Sequence, residues 1–216
     1  MAPLFPKGSN TIARVSIAAF TLLVVFGAFV FDLIYKGLYV TNQNVPREQR
    51  VPFSHKHHVS GLGIDCRYCH TTVETSSFAG YPPLKTCMSC HSQIWTGASM
   101  LNPIRQSFRT GRPFMWVRVN QLPGYVYFDH SIHIAKGIGC TSCHGPVGDM
   151  PLTWAGADLH MKWCLDCHRH PEAQVRPRDQ VFNVNYRRPA NQGELGRRLV
   201  AEYHIQRKIE CYTCHR

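Results

Sequence analysis

Ten cysteines fall into five copies of one pattern, Cys-x-x-Cys-His, at residues 66–70, 87–91, 140–144, 164–168 and 211–215, and none is left over. Two thiols three residues apart can add to the two vinyl groups of a porphyrin, and the histidine that follows is placed to bind the iron. Each copy therefore reads as a covalent c-type haem site. Cys66, Cys69, Cys87, Cys90, Cys140, Cys143, Cys164, Cys167, Cys211 and Cys214 would carry five haems, with His70, His91, His144, His168 and His215 as proximal ligands. Zinc sites, redox pairs and disulfides also use Cys-x-x-Cys, but none of them needs a histidine after the second cysteine five times in five.

A low-spin c-type haem iron takes a second axial ligand, usually His or Met. Eight histidines lie outside the motifs: His55, His57, His58, His130, His133, His160, His170 and His204. An internal repeat selects among them. Phe53-Ser-His55-Lys-His57-His58, followed by Gly63-Ile64-Asp65-Cys66, matches Phe128-Asp-His130-Ser-Ile-His133, followed by Gly137-Ile138-Gly139-Cys140, with a one-residue gap. Two histidines one helical turn apart can serve two closely packed haems, so His55, His58, His130 and His133 are assigned as distal ligands. His57 is the competitor of His58. His160, His170 and His204 fall outside the repeat and read as surface or supporting residues. For the fifth iron, Met161 is preferred over Met150, with His204 third, because a thioether both ligates and raises the potential. With six ligands on every iron no open site remains for substrate, which argues for electron transfer rather than reduction of a small oxyanion.

These ligands need a scaffold, and its organisation is readable. Each copy of the repeat leads into two motifs, giving a first dihaem module over residues 50–110, a second over 111–171, and a basic extension with the fifth haem over 172–216. The expected fold is mainly α with much irregular structure, its dihaem modules like those of cytochromes c3 and c7. Little β-structure is expected, apart from a short strand within 113–119. A helical pattern runs from about Gly193 to Arg207. The linker between the modules carries Trp95, Phe108, Phe114, Trp116, Tyr125 and Tyr127, as packing for haem faces or a partner.

Ahead of the haem region, Val15 to Phe31 is an uncharged, mostly apolar run, long enough to cross a bilayer as a helix over residues 12–36. Lys7 and Arg14 precede it. The positive-inside rule then puts residues 1–11 in the cytoplasm and, beyond a linker at 37–49, the haem domain in the bacterial periplasm. A cleaved signal is the competing reading; the length of the run and the lack of a small-x-small site before Asp32 favour an anchor. The formal charge of +11 is offset by two propionates per haem, about five charges when all five are oxidised. No recognition motif accompanies it, so no nucleic-acid partner is expected.

The runs FSHKHHVSGLGIDCRYCHTTVE, AGYPPLKTCMSCHSQIW, LPGYVYFDHSIHIAKGIGCTSCHG and MKWCLDCHRHPEAQVRPRDQVFNV, with the single N-terminal helix, resemble the pentahaem cytochrome subunit of alternative complex III. The resemblance spans most of residues 50–216. It implies an electron-transfer role in a bacterial quinol:acceptor oxidoreductase. Integral membrane quinol-oxidising subunits, an iron–sulfur subunit, a monohaem cytochrome c subunit and membrane lipid would be its surroundings, and a periplasmic acceptor or an oxidase its outlet. One membrane helix cannot enclose a quinone pocket, which independently calls for partner helices. The alternative is an anchored tetrahaem-type quinol dehydrogenase feeding a periplasmic reductase; five motifs and the long linkers at 92–127 and 172–210 fit it less well.

Overall fold

The computed structural model describes residues 5–215, and the chain divides into two units meeting between Asn42 and Gln43. The start of the expected cytoplasmic segment, residues 1–4, lies outside the described residues. In the first unit, α1 (Ser9–Lys36) is a 28-residue helix followed by the single turn α2 (Leu38–Thr41). None of the α1 side chains is buried, its mean hydropathy reaches 2.5, and it is long and apolar enough to cross a membrane. It starts three residues before the expected span and ends where expected. There Lys36 pairs with Asp32 one turn back at 2.7 Å, and extended backbone at Gly37 stops the helix.

The second unit is a set of short helices held by loops: α3 (Cys66–Cys69), α4 (Leu84–His91), α5 (Asn102–Thr110), α6 (His130–Ala135), α7 (Cys140–His144), α8 (Met161–Arg169), α9 (Gln192–Glu202) and α10 (Cys211–Cys214). All five motifs are helical. Three of them start their helix at the first cysteine, because a Cys-x-x-Cys turn aims both thiols to one side only when helical.

Among the described residues there is no strand. Residues 113–119, expected to hold one, run extended but have no neighbouring strand. Instead the Gln49 side chain takes a strand's place: its Nε2 donates to the Val117 carbonyl and its Oε1 accepts from the Val117 N–H, both at 2.9 Å. Helix α9 also stops short of the expected Arg207. Tyr203 turns into the core, His204 adopts φ 51°, and Lys136 Nζ donates to the Tyr203 carbonyl at 2.6 Å.

The repeat in the sequence is a repeat in space. Phe53 stands edge-on to His55 (4.9 Å, 87°) and stacks on His58 (4.5 Å, 24°); Phe128 does the same to His130 (4.8 Å, 89°) and His133 (4.4 Å, 28°). The residue after each phenylalanine caps the turn: Ser54 Oγ accepts from the His57 N–H, and Asp129 Oδ1 from those of Ser131 and Ile132. Both copies end on a left-handed glycine, Gly63 (φ 70°) and Gly137 (φ 78°), where a side chain would be strained. The one-residue gap has a physical form as well. In the first copy residues Lys56–Gly61 wind as a π-helix, which absorbs one extra residue, whereas the second copy is the α-helix α6.

Protein core is scarce. Eleven apolar side chains are buried among the described residues, and six of them form two small clusters, Val51, Leu101 and Ile104 in one and Val175, Leu199 and Tyr203 in the other. For a unit this size that is little apolar burial, so much of its cohesion has to come from cofactor surface. Phe114 and Trp116 pack on the first cluster, while Phe108 stays half exposed.

Candidate haem-binding site

An imidazole nitrogen bonds a metal at about 2.0 Å and lies about 1.15 Å from its ring centre, so two imidazoles sharing one iron have centroids about 6.3 Å apart. Three pairs stand at that separation: His58 and His91 at 6.2 Å, His130 and His144 at 6.3 Å, and His133 and His168 at 6.2 Å. Each joins a histidine of the repeat to a motif histidine. His55, the remaining member of the repeat, lies close enough to His70 for that imidazole to be the strongest electrostatic influence on it after burial.

The other ring nitrogen is occupied in most of these side chains. Nδ1 of His58 donates to the Ser54 carbonyl (2.8 Å), that of His133 to Asp129 (2.6 Å), and that of His130 to Ser77 (2.8 Å). The motif histidines behave alike: His70 donates to the Gly80 carbonyl (2.7 Å), His168 to that of Lys208 (2.6 Å) and His215 to that of Tyr125 (3.2 Å). A proton fixed on Nδ1 leaves the Nε2 lone pair free and sets the ring's orientation, the usual support of a metal-binding histidine. Around His144 the partner is Asn120 at 3.1 Å. The Asn120 oxygen is otherwise buried without a partner, and a flip of that amide puts it on the His144 N–H. Only His91 Nδ1 is buried unpaired.

Burial favours the neutral, metal-binding form of three of these imidazoles, those of His55, His133 and His144. The pKa of His55 is lowered to about 4, first by burial and then by the imidazoles of His70, His58 and His144. His144 is likewise lowered to about 4 by burial, then by His130 and His70. The same burial lowers His133.

Two protein ligands per centre, rather than four, require a metal that brings its own equatorial donors, as a porphyrin does. No group of three or more His, Cys, Asp or Glu side chains converges on a metal-sized point among the described residues. All ten cysteines are free thiols. The residues thus fit c-type haem, which would supply one-electron chemistry between its ferric and ferrous states.

His57 is placed elsewhere. It is exposed and stacks on Trp95 (5.8 Å, 28°). His57→Ala is therefore expected to leave haem content and the low-spin spectrum unchanged, whereas His58→Ala should convert one haem to a high-spin, carbon monoxide-binding form. Equal effects of the two substitutions on the ferric spectrum would overturn the assignment.

The residues outside the repeat separate clearly. His160 lies 3.8 Å from Asp158, His170 lies 3.5 Å from Glu172 on the surface, and His204 is exposed. Met150 is fully buried, its methyl packed near Gly145. Met161 opens α8 and is 60% exposed, on the face of that helix that carries Cys164 and His168. Of the linker aromatics, Trp95 borders His91 at 6.4 Å and Tyr125 stacks on His215 at 5.8 Å.

Arg176 was not foreseen, since a lone arginine in a basic stretch carries no signal. It is 4% exposed, reaches Thr141 Oγ1 (3.1 Å) and Ser142 Oγ (3.3 Å) within the third motif, and lies 4.5 Å from the Tyr186 ring. Its guanidinium occupies the space a side chain at Gly139 would need.

Residues 126–216 match the family described as cytochrome c7 and related cytochrome c. The multiheme cytochrome c subunit of a menaquinone reductase from Nitratidesulfovibrio vulgaris (strain Hildenborough) is 31% identical over 123 residues, 56% of this chain and 53% of that protein. The chain thus spans about half the length of this relative.

Proposed function

We propose that this chain, a multihaem c-type cytochrome with a cytochrome c7-like C-terminal part, is the membrane-anchored pentahaem electron-transfer subunit of a quinol:acceptor oxidoreductase of the alternative complex III type. The observation that carries the reading is the set of paired imidazoles at iron-sharing distance. Paired axial ligands leave no coordination site for a substrate, so the chain conducts single electrons and does no substrate chemistry of its own. Helix α1 anchors it, with the haem domain on the periplasmic side. The quinol-oxidising membrane subunits, the iron–sulfur subunit and the monohaem cytochrome are its partners.

His70, His91, His144, His168 and His215 would be the proximal ligands and His55, His58, His130, His133 and Met161 the distal ones. The fully packed Met150 side chain favours Met161 at the fifth position. Substituting Met161 by His should lower one haem potential and abolish a near-infrared methionine–iron band, while Met150→His should leave that band in place. The reverse outcome would transfer the assignment to Met150.

A second reading follows from the relative's printed name: the same chain could exchange electrons with menaquinone in the reducing direction. Purification of the native assembly with identification of its subunits, and redox titration against the quinone couple, separates the two. Haem potentials above that of the quinone support outward flow; potentials below it support reduction. Quinol oxidation by the isolated chain, without integral membrane subunits, would instead establish the anchored quinol dehydrogenase.

A further inference from the structure

We infer that the five ligand sets form one unbranched row whose spatial order is second, first, third, fourth, fifth motif, so that the row begins at the second haem and the first haem lies inside it. The inference rests on the axial assignment above and extends it from ligands to neighbours.

Each link has its own observation. The second and first sets meet because His58 and His55 occupy one helical turn against Phe53, and because Tyr68 and Ser89, one inside each motif, share a hydroxyl hydrogen bond at 2.8 Å. The first and third sets meet where His130 Nδ1 and the Ser131 N–H bond the Ser77 and Ser76 carbonyls, just past His70. The His130 N–H donates to the same Ser77 carbonyl at 3.3 Å, so both nitrogens of that residue tie the third set to the segment that follows the first motif. The third and fourth sets share α6, with His130 and His133 on the two sides of Phe128. The fourth and fifth meet where His168 Nδ1 bonds the Lys208 carbonyl, three residues before Cys211.

The ends of this row are also the surface of the unit. Among the ten motif cysteines, the two exposed ones are Cys90 and Cys211, one in the second motif and one in the fifth. Among the described residues no hydrogen bond joins the second motif directly to the third, although they are consecutive in the chain. The row is therefore folded back at its start: the chain enters at the first haem, visits an end, and returns to the middle. Electrons would reach a partner through the second and fifth haems, the two at the surface.

The relative tilt of the two axial rings makes the haems separately visible. Near-parallel imidazoles give a rhombic ferric low-spin resonance and strongly crossed ones a highly anisotropic resonance. His130 and His144 are 4° apart, against 67° for the second pair and 55° for the fourth. Among these three haems, only the third should give a rhombic signal, and its assignment is fixed by the change of that signal in His130→Met. Its midpoint is measured by redox titration of the holoprotein in membranes, followed by electron paramagnetic resonance.

Deleting the second haem (Cys87→Ala with Cys90→Ala) should leave the midpoint of that rhombic signal unmoved, because the first haem lies between. Deleting the fifth (Cys211→Ala with Cys214→Ala) should move the midpoint of the 55° haem and again leave the rhombic one in place. Should a deletion prevent assembly, His58→Met raises the second haem's potential with the haem retained and must also leave the rhombic midpoint unmoved, while His55→Met must shift it. A rhombic midpoint that follows changes at the second haem, or ignores His55→Met, overturns the order. Because the readout concerns the chain itself, it stands or falls separately from the identity of the quinone-linked partners.

Discussion

Replacing Cys140 and Cys143 together by alanine is expected to prevent residues 43–216 from folding rather than to subtract a single haem. The third motif is where the unit is tied together. The Cys140 N–H donates to the Val181 carbonyl at 3.3 Å, and Arg176 is buried against Thr141 and Ser142. Burial pushes the Cys143 thiol up to about 12, with the thiols of Cys167 and Cys164 next to it. With so little side-chain core, a cofactor lost here removes the surface against which both modules pack. The matched substitution of Cys211 and Cys214 falls at an exposed end and should cost one haem. Haem-to-chain ratio and the amount of chain in membranes distinguish the two; a stable Cys140/Cys143 variant holding the remaining haems would contradict this.

Gly196→Ala should unseat helix α9 while leaving every candidate ligand in place. A Cβ at Gly196 would lie 1.9 Å from the Glu172 carbonyl oxygen, a backbone atom that cannot rotate away. That approach lets α9 sit on the 3₁₀ turn Pro171–Ala173, where Gln192 Nε2 bonds the Glu172 and Val175 carbonyls at 3.0 and 2.9 Å and Val175, Leu199 and Tyr203 close the small core. Overpacking of this kind costs about 2–3 kcal/mol. For a unit of this length the melting temperature should fall by about 4–12 °C. Thermal unfolding followed in the haem band checks it, with unchanged haem content; a drop below about 1 °C would mean the helix shifts freely.

The chemistry was more legible than the architecture. Motif cysteines and the paired histidines are local patterns with a period, and the duplicated Phe-x-His-x-x-His segment carried its own internal control, so the repeat could be read without coordinates. Helix α1 was legible from composition alone. The choice between His57 and His58 was not, because it depends on Trp95, nearly forty residues away, holding His57 outward. Residues 113–119 have strand composition, but a strand needs a partner, and no sequence rule announces that a glutamine side chain will serve as one. The order of the motifs in space and the place of Arg176 are products of long-range packing, which local spacing does not encode.

The hydrogen bonds on Nδ1 have a consequence for how the protein matures. His70 is oriented by Gly80, ten residues downstream, so its partner is present as soon as that stretch has been made. His168 takes its orientation from Lys208, forty residues later, and His215 from Tyr125, ninety residues earlier. In chain order the ring of His70 therefore has its partner long before that of His168 does. The tail of the chain acts as a closing clasp, and a protein released before Lys208 would carry its fourth haem on an untethered imidazole.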